Sequence, residues 1–326
     1  MTEVNNAVVV PRLGDIDVLE YRQMPVPEIL SDEILVRAEY GGMNYIDNYF
    51  RAGVYKVQTP YVAGSEGAGT VVKTGSAVTK FVVGDRVAYT APNTFATYVV
   101  LKPANRIARI PDGIDTKTAA AAFLQGLTTI TLINEAYKVQ KNDFVVVIPA
   151  AGGCGLLLTQ LCSAIGAHVI AVVGSDDKAA LAKSYGAEYT INYSTEDIAS
   201  RVSEFTDGLG AQVVYDGVGK ATAEASFASV RRKGTLVLFG NASGVVPPVD
   251  ILRLSAKNIK LLRPTLTNYI ATDEELSYYS KLLFDSILAG SLKITIFKVY
   301  PLTEYKAAVT DFVGRKTTGK LVVEIQ

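Results

Sequence analysis

The sequence predicts an α/β protein of two domains, one built on a doubly wound, six-stranded parallel sheet and the other smaller, irregular and β-rich. Three observations predict it. Strands and helices alternate strictly from Asp143 onward, and a glycine-rich turn, IPAAGGCG at 148–155, joins the first of those strands to the first of those helices. The chain, at 326 residues and 49% hydrophobic, is also too long for one ordinary core.

In chain order, the first 125 residues read as short β-like runs with few helices: EILVRAEY, GAGTVVKTG, GDRVAYT and ATYVVL, separated by Gly, Pro and Asn turns. From Asp143 the runs alternate: FVVVI, a helix to Ile165, HVIAVV, a helix through DDKAALAKSY, YTI, a helix through TEDIASRVSEF, QVVYD, a helix near ATAEASFASVRR, and TLVLFG. Strands covered on both faces are continuously apolar, and right-handed crossovers join them into a parallel sheet. NIKLLR, after Pro247 and Pro248, is the sixth strand. The helical stretch EELSYYSKLLFDSILAG and the short strands ending in KLVVEI have no evident core of their own, so they are expected to return to the first domain. The expected boundaries are 1–125 with 268–326 for the smaller, substrate-binding domain and 126–267 for the doubly wound one. No internal repeat or low-complexity tract is evident.

Thirty-two basic residues balance thirty-two acidic ones, so no net field draws the chain to nucleic acid, an anionic membrane or an acidic polymer. A small-molecule partner is favoured. The start, MTEVNNAVVVPRLG, has too short an apolar run for a signal peptide and does not resemble an Arg-rich transit sequence. No Asp, Glu, Lys or Arg lies between Asp143 and Asp176, but Pro149 and three glycines break this stretch, which reads as a buried strand turning into a helix and not as a membrane span. Cys154 and Cys162, if on one helix rising about 1.5 Å per residue, stand roughly 12 Å apart, beyond disulfide reach. They read as reduced thiols of a cytoplasmic protein.

Strand-ending glycines let the backbone approach a diphosphate, and the N–H groups of the following helix start attract the anion. The run at 148–155 departs from G-x-G-x-x-G, with Ala150 and Ala151 ahead of Gly152, Gly153 and Gly155. Its place between a strand and a helix of a βαβ unit still points to a dinucleotide; the alternative is a tight turn with no ligand. About 20 residues on, where an NAD enzyme carries a carboxylate, IAVVGSDDK offers the uncharged Val173. Gly174 and Ser175 leave room for a 2′-phosphate, with Lys178 and the phenol of Tyr193 as its partners, so NADPH is favoured over NADH. Asp176 and Asp177 oppose this on charge, unless they serve as a helix N-cap. Cys154 is either an oxidisable thiol with a lowered pKa or a small residue that fits beside a diphosphate.

Several stretches together carry a resemblance that runs nearly end to end: NYIDNYFRAGVY, PYVAGSEGAGTVVKTG, GDRVAY, FLQGLTT, AAGGCGLLLTQL, INYSTED, LFGNASG, RP at 263–264, YPL at 300–302 and GRKTTGKLVV. They resemble the zeta-crystallin type quinone oxidoreductases, the zinc-independent branch of the medium-chain dehydrogenase/reductase superfamily. The resemblance implies a Rossmann domain and a GroES-like domain, a homodimer, and NADPH-dependent reduction of quinones and related α,β-unsaturated carbonyl compounds. By position it implies cofactor contacts from Asn44, Tyr49, Thr128, Ala151, Gly152, Gly153, Cys154, Gly174, Ser175, Lys178, Tyr193, Phe239, Gly240, Asn241 and Arg315. Two alternatives stay open: a 2-alkenal or enone as the main acceptor, or a chiefly binding role, since members of the family bind AU-rich RNA or accumulate as lens structural proteins. The neutral net charge argues against RNA as the main partner.

In VAGSEGAG at 62–69, Ser65 stands where zinc-dependent relatives carry a metal-binding His, and Asn44 stands where they carry a Cys. A catalytic zinc needs three protein ligands and the structural zinc of those relatives needs four cysteines, which one histidine and two cysteines cannot supply. His168 opens a buried strand and reads as a packed neutral imidazole. Glu66 reads as a structural carboxylate, with a catalytic role as the alternative. Quinones and enones are electrophilic without a Lewis acid, so hydride transfer to them needs positioning and a donor for the developing enolate. Asn44, Tyr49 and Tyr55, in a loop-like stretch after Gly42, are the catalytic candidates; packing at a domain rim is the alternative for the two tyrosines.

Overall fold

The computed structural model describes residues 3–314 and 316–326, so Arg315, expected at the cofactor, lies outside the described residues. The chain divides into two compact units, Met1–Leu127 with Thr272–Gln326, and Thr128–Ala271. The first unit opens with β1 (Val4–Val10), β2 (Glu20–Pro25), β3 (Ile34–Gly42), α1 (Tyr45–Arg51), β4 (Tyr61–Val62), β5 (Glu66–Thr74), β6 (Arg86–Thr90), β7 (Tyr98–Leu101) and β8 (Arg106–Arg109), then enters α2 (Thr116–Thr131). Two of these differ from the sequence reading: the loop-like stretch that carries Tyr49 is helix α1, and α2 begins well before residue 125. Seven residues make too short a helix to show a 3.6-residue period. What starts α1 is a cap, the Asp47 carboxylate accepting from the Asn44 N–H at 2.9 Å.

The second unit holds β9 (Phe144–Ile148), α3 (Gly153–Ile165), β10 (His168–Val173), α4 (Asp176–Ser184), β11 (Tyr189–Asn192), α5 (Ile198–Phe205), β12 (Ala211–Asp216), α6 (Ala223–Ser229), β13 (Val230–Leu238), α7 (Leu252–Ser255), β14 (Lys260–Leu262) and α8 (Leu266–Tyr269). Its six strands lie in the order β11-β10-β9-β12-β13-β14, all parallel. Val146, Ile148, Ile170, Val172 and Val214 are fully buried, which is why these strands are apolar throughout. The helix expected over ATAEASFASVRR stops at Ser229, because Val230 already pairs with Ala211 of β12. β-branched Val230 suits the strand, so tertiary pairing overrides the helical run.

The chain then continues as α9 (Asp273–Leu288), β15 (Ile296–Pro301), α10 (Tyr305–Val313) and β16 (Lys320–Glu324). In the first unit, β2-β1-β4 form one antiparallel sheet. A second sheet runs β15-β16-β3-β5-β6-β8, with β7 also on β3. Val36, Val71, Val87 and Tyr89 on its strands share one buried core with Phe95 and with Tyr305 and Phe312 of α10, and the Phe95 and Tyr305 rings meet at 4.8 Å. The pairing of Val322 with Gly42 lays the start of β16 beside the residues that lead into α1, and the pairing of Gly41 with Gly67 brings in the start of β5. No described helix is long and apolar enough to cross a membrane.

Candidate functional site

In the first unit, Asn44, Glu66 and Lys320 converge where β3, β5 and β16 meet, and none is more than 4% exposed. Lys320 Nζ donates to Glu66 Oε2 at 2.7 Å and to Asn44 Oδ1 at 2.8 Å. The amide of Asn44 donates to Glu66 Oε2 at 2.9 Å and to the Gly42 carbonyl at 3.1 Å, and the Leu124 N–H donates to Glu66 Oε1 at 2.5 Å. Gly42 is obligatory here, since a Cβ would fall 2.4 Å from Glu66 Oε2 and 2.3 Å from the Ala120 carbonyl. Glu66 is therefore a structural carboxylate whose three donors come from three segments. Both Asn44 amide hydrogens are directed within the protein, to Glu66 and to the Gly42 carbonyl, so the network with Lys320 fixes the orientation of this amide.

Ser65 donates its hydroxyl to Asp47 on α1. Burial pushes the Asp47 carboxyl up to about 6, against the opposing effects of the Ser65 and Asn44 hydrogen bonds and of the Lys320 charge. Tyr49 and Tyr55 are half-buried, their rings meeting edge-on at 5.4 Å, and Tyr55 also meets Phe50 edge-on at 5.8 Å. The aromatic cluster gives the tyrosines a packing role that a donor role for their hydroxyls would add to.

In the second unit the sheet order reverses at β9, whose neighbours β10 and β12 carry the chain in opposite directions. Ligands of such sheets bind outside the carboxyl ends of the strands at that reversal. There β9 gives way to Pro149, Ala150 and Ala151, and α3 starts after Gly152 without a side-chain cap. Gly155 is required by packing, as a Cβ would fall 2.0 Å from the Pro149 carbonyl, whereas at Gly152 it would meet nothing closer than 3.8 Å. The bare backbone at Gly152 is thus space the protein does not fill itself, as a diphosphate at the helix start needs. Cys154 sits half-buried in the first turn, beside Gly153; Cys162, one face along, is buried and its thiol pKa is raised by burial.

At the ends of β10 and β11 the expected phosphate residues come together. Ser175 caps α4 by accepting from the Lys178 N–H at 3.4 Å, so the cap is this serine and not the aspartates that follow. A Cβ on Gly174 would fall 2.7 Å from the Tyr193 hydroxyl, which places that phenol over the glycine. Lys178 is half-buried, and burial lowers its ammonium pKa. At the ends of β12 and β13, the Phe239 N–H donates to the Asp216 carbonyl at 2.8 Å, and Gly240 crowds Gly217, whose carbonyl oxygen a Cβ would approach to 2.3 Å. Oriented by its neighbours, Asn241 accepts from Arg263 Nη2 at 3.3 Å. Thr128, on α2, is half-buried.

Lys320 escaped the sequence reading, although a lysine opening the apolar run KLVVEI was its signal. The reading of His168 is also corrected: the ring is 35% exposed, Nδ1 lies 2.6 Å from Glu188 Oε2, and it stacks on Phe144. A ring at the strand's edge gains a carboxylate there, and its hydrogen bond lowers the Glu188 pKa. Among the described residues no group of three or more His, Cys, Asp and Glu could hold a metal ion.

Comparison with known proteins bears on both units. A model of the alcohol dehydrogenase GroES-like domain matches residues 31–112 and one of the zinc-binding dehydrogenases matches residues 153–283. A quinone oxidoreductase of Pseudomonas aeruginosa is 42% identical over 313 residues, covering 95% of this chain and 96% of that one. A 2-haloacrylate reductase of a Burkholderia species is 34% identical over 326 residues, covering 97% and 98%. The crystal structure of Escherichia coli quinone oxidoreductase complexed with NADPH aligns with a TM-score of 0.94 at 35% identity, over 98% of this chain and 99% of that one. Likeness of this extent, on a chain whose histidine and cysteines cannot build the related zinc sites, means that the chain belongs to the zinc-independent quinone oxidoreductases of the medium-chain dehydrogenase/reductase superfamily.

Proposed function

We propose that this chain uses NADPH to reduce quinones and related α,β-unsaturated carbonyl compounds without a bound metal. The observation that carries the reading is the loop pair at the ends of β10 and β11, where Ser175, Lys178 and Tyr193 gather around Gly174 and the strand ends on the uncharged Val173. Lys178 and the hydroxyls of Ser175 and Tyr193 bind the 2′-phosphate, while the backbone at Ala151, Gly152, Gly153 and Cys154 receives the diphosphate at the α3 start. Thr128, Phe239, Gly240 and Asn241 are assigned to the rest of the cofactor. NADPH supplies the hydride. Quinones and enones accept it without a Lewis acid, so the protein's task is to position the acceptor and to hydrogen-bond the oxygen on which charge develops. The Tyr49 and Tyr55 hydroxyls fill the second role, and Asn44, held by Glu66 and Lys320, keeps α1 in register beneath them.

The likeness to a 2-haloacrylate reductase favours a second reading, in which a small activated alkene is the main acceptor. The same proposal includes a homodimer in the cytoplasm. It is supported by the three-residue edge strand β14, by Ile251 and Leu252 at 77% and 74% exposure in the segment before it, and by two thiols with no disulfide.

The test follows NADPH oxidation with a quinone, a short enone and an unactivated aldehyde in parallel, then repeats the enone reaction with NADPH deuterated at the nicotinamide C4. The quinone and enone should turn over, the aldehyde should not, and deuterium should reach the enone β-carbon. An electron-spin signal during quinone turnover, with no β-deuteration of any enone, would replace hydride transfer with one-electron reduction.

A further inference from the structure

The helix that carries Lys178 also carries two carboxylates in its first turn, Asp176 and Asp177, both exposed. A dianionic phosphate at Ser175 and Lys178 would meet that charge within a few ångströms, where repulsion is screened little at low salt. One of the two is tied back. Asn192, the last residue of β11, donates its amide Nδ2 to Asp176 Oδ1 at 2.8 Å and accepts from the Ser194 N–H at 3.1 Å on its Oδ1. Its own N–H donates to Glu196 Oε2 at 2.8 Å, which holds the strand end in place. The next two residues complete the lacing: the Tyr193 N–H donates to the Val173 carbonyl at 3.0 Å, and Ser194 Oγ donates to the Gly174 carbonyl at 3.0 Å. Residues two apart on a helix do not face each other, and the bond from Asn192 fixes the Asp176 carboxylate at the end of β11.

We propose that Asn192 is a specificity-determining positioning residue, whose amide holds the Asp176 carboxylate against the end of β11 so that the first turn of α4 accepts the 2′-phosphate of NADPH. The inference rests on the assignment of that phosphate to Ser175, Lys178 and Tyr193. It explains how a chain with Asp-Asp directly after Ser175 favours the phosphorylated cofactor: the acidic turn is kept, and the Asp176 carboxylate is held in place by a neutral donor that brings no charge of its own.

The test measures binding of 2′,5′-ADP and 5′-AMP by calorimetry at low salt, which requires no turnover, on wild type, Lys178→Ala, Asn192→Ala, Asp176→Asn and the Asn192→Ala/Asp176→Asn double variant. Asn192→Ala should weaken 2′,5′-ADP about fivefold to tenfold and leave 5′-AMP within about twofold. The double variant should return 2′,5′-ADP to within about twofold of wild type, the coupling that identifies the carboxylate as the cause. Asp176→Asn, a surface change that does not threaten folding, should alter 2′,5′-ADP by less than about twofold while Asn192 is present. A gain of tenfold or more from Asp176→Asn alone would show that the carboxylate already faces the phosphate, and equal losses of both ligands in Asn192→Ala would show a merely structural loop residue; either overturns the proposal. Lys178→Ala separates the two levels. If it weakens 2′,5′-ADP selectively and Asn192→Ala does not, the Asn192 inference alone fails, whereas if Lys178→Ala affects both ligands alike, the phosphate assignment fails with it.

Discussion

Asp47 is charged at neutral pH in a place that opposes the charge. Its carboxyl is raised from 3.8 to about 6, chiefly by burial, with Glu66 adding to the rise and Lys320 opposing it. Between pH 4 and 6 the unfolded chain has released this proton and the folded chain still holds it, so the stability Asp47 contributes is full below about pH 4 and lost as pH rises through 6. Asp47→Asn removes that dependence. The unfolding free energy of the variant minus that of wild type, measured by urea titration, should therefore increase from pH 4 to pH 7 by on the order of 1–3 kcal/mol. If Lys178 binds the 2′-phosphate as proposed, Lys178→Ala should cost a charge-assisted bond of about 1.5–3 kcal/mol, and NADPH affinity by fluorescence titration at low salt should fall roughly tenfold or more while NADH changes little. Residues such as Val173, Ser175 and Lys178 are legible in sequence because their position follows from where one strand ends. His168 was misread because its partner, Glu188, belongs to the next strand's approach, and only pairing of β10 with β11 brings the two together.

Among the elements, β16 is the one that the first unit's polar core depends on. Its first residue, Lys320, is 2% exposed and bonded to a glutamate 254 positions earlier in the chain. A buried pair that loses one partner leaves the other charge uncompensated, which costs roughly 3–5 kcal/mol, while replacing both can be near neutral. Lys320→Met and Glu66→Gln should each lower the denaturation midpoint sharply, and the double variant should lose less than the sum of the two. A purely additive double would show that the pair is not coupled. Helix α1 and the short α6 mark the limit of periodicity at this scale. Each has seven residues, about two turns, so α1 is specified by its Asn44 and Asp47 cap and the end of α6 by the pairing of Val230.

For the whole molecule, the NADPH site proposed at the strand ends couples cofactor binding to stability. NADPH at about a hundredfold its Kd should stabilise the protein by roughly 2.7 kcal/mol through linkage. A chelator should change neither the melting temperature nor quinone turnover, and elemental analysis should find less than stoichiometric zinc; zinc at one per chain, lost together with activity, would overturn the reading of Ser65 and Asn44. By itself the sequence determined the parallel sheet of the second unit, the glycine turn that opens α3, and the lack of ligands for zinc. Each of these depends on residues close together in the chain or on composition: an apolar run of β9 announces burial on both faces, and one histidine is one histidine in any fold. Only the tertiary structure decided that Lys320 closes on Glu66 and Asn44, that the Asn44 amide is directed within the protein, and that Asn192 takes hold of Asp176. Those contacts join separate strands and loops, and no periodicity encodes a hydrogen bond between segments whose distance apart is set by sheet register.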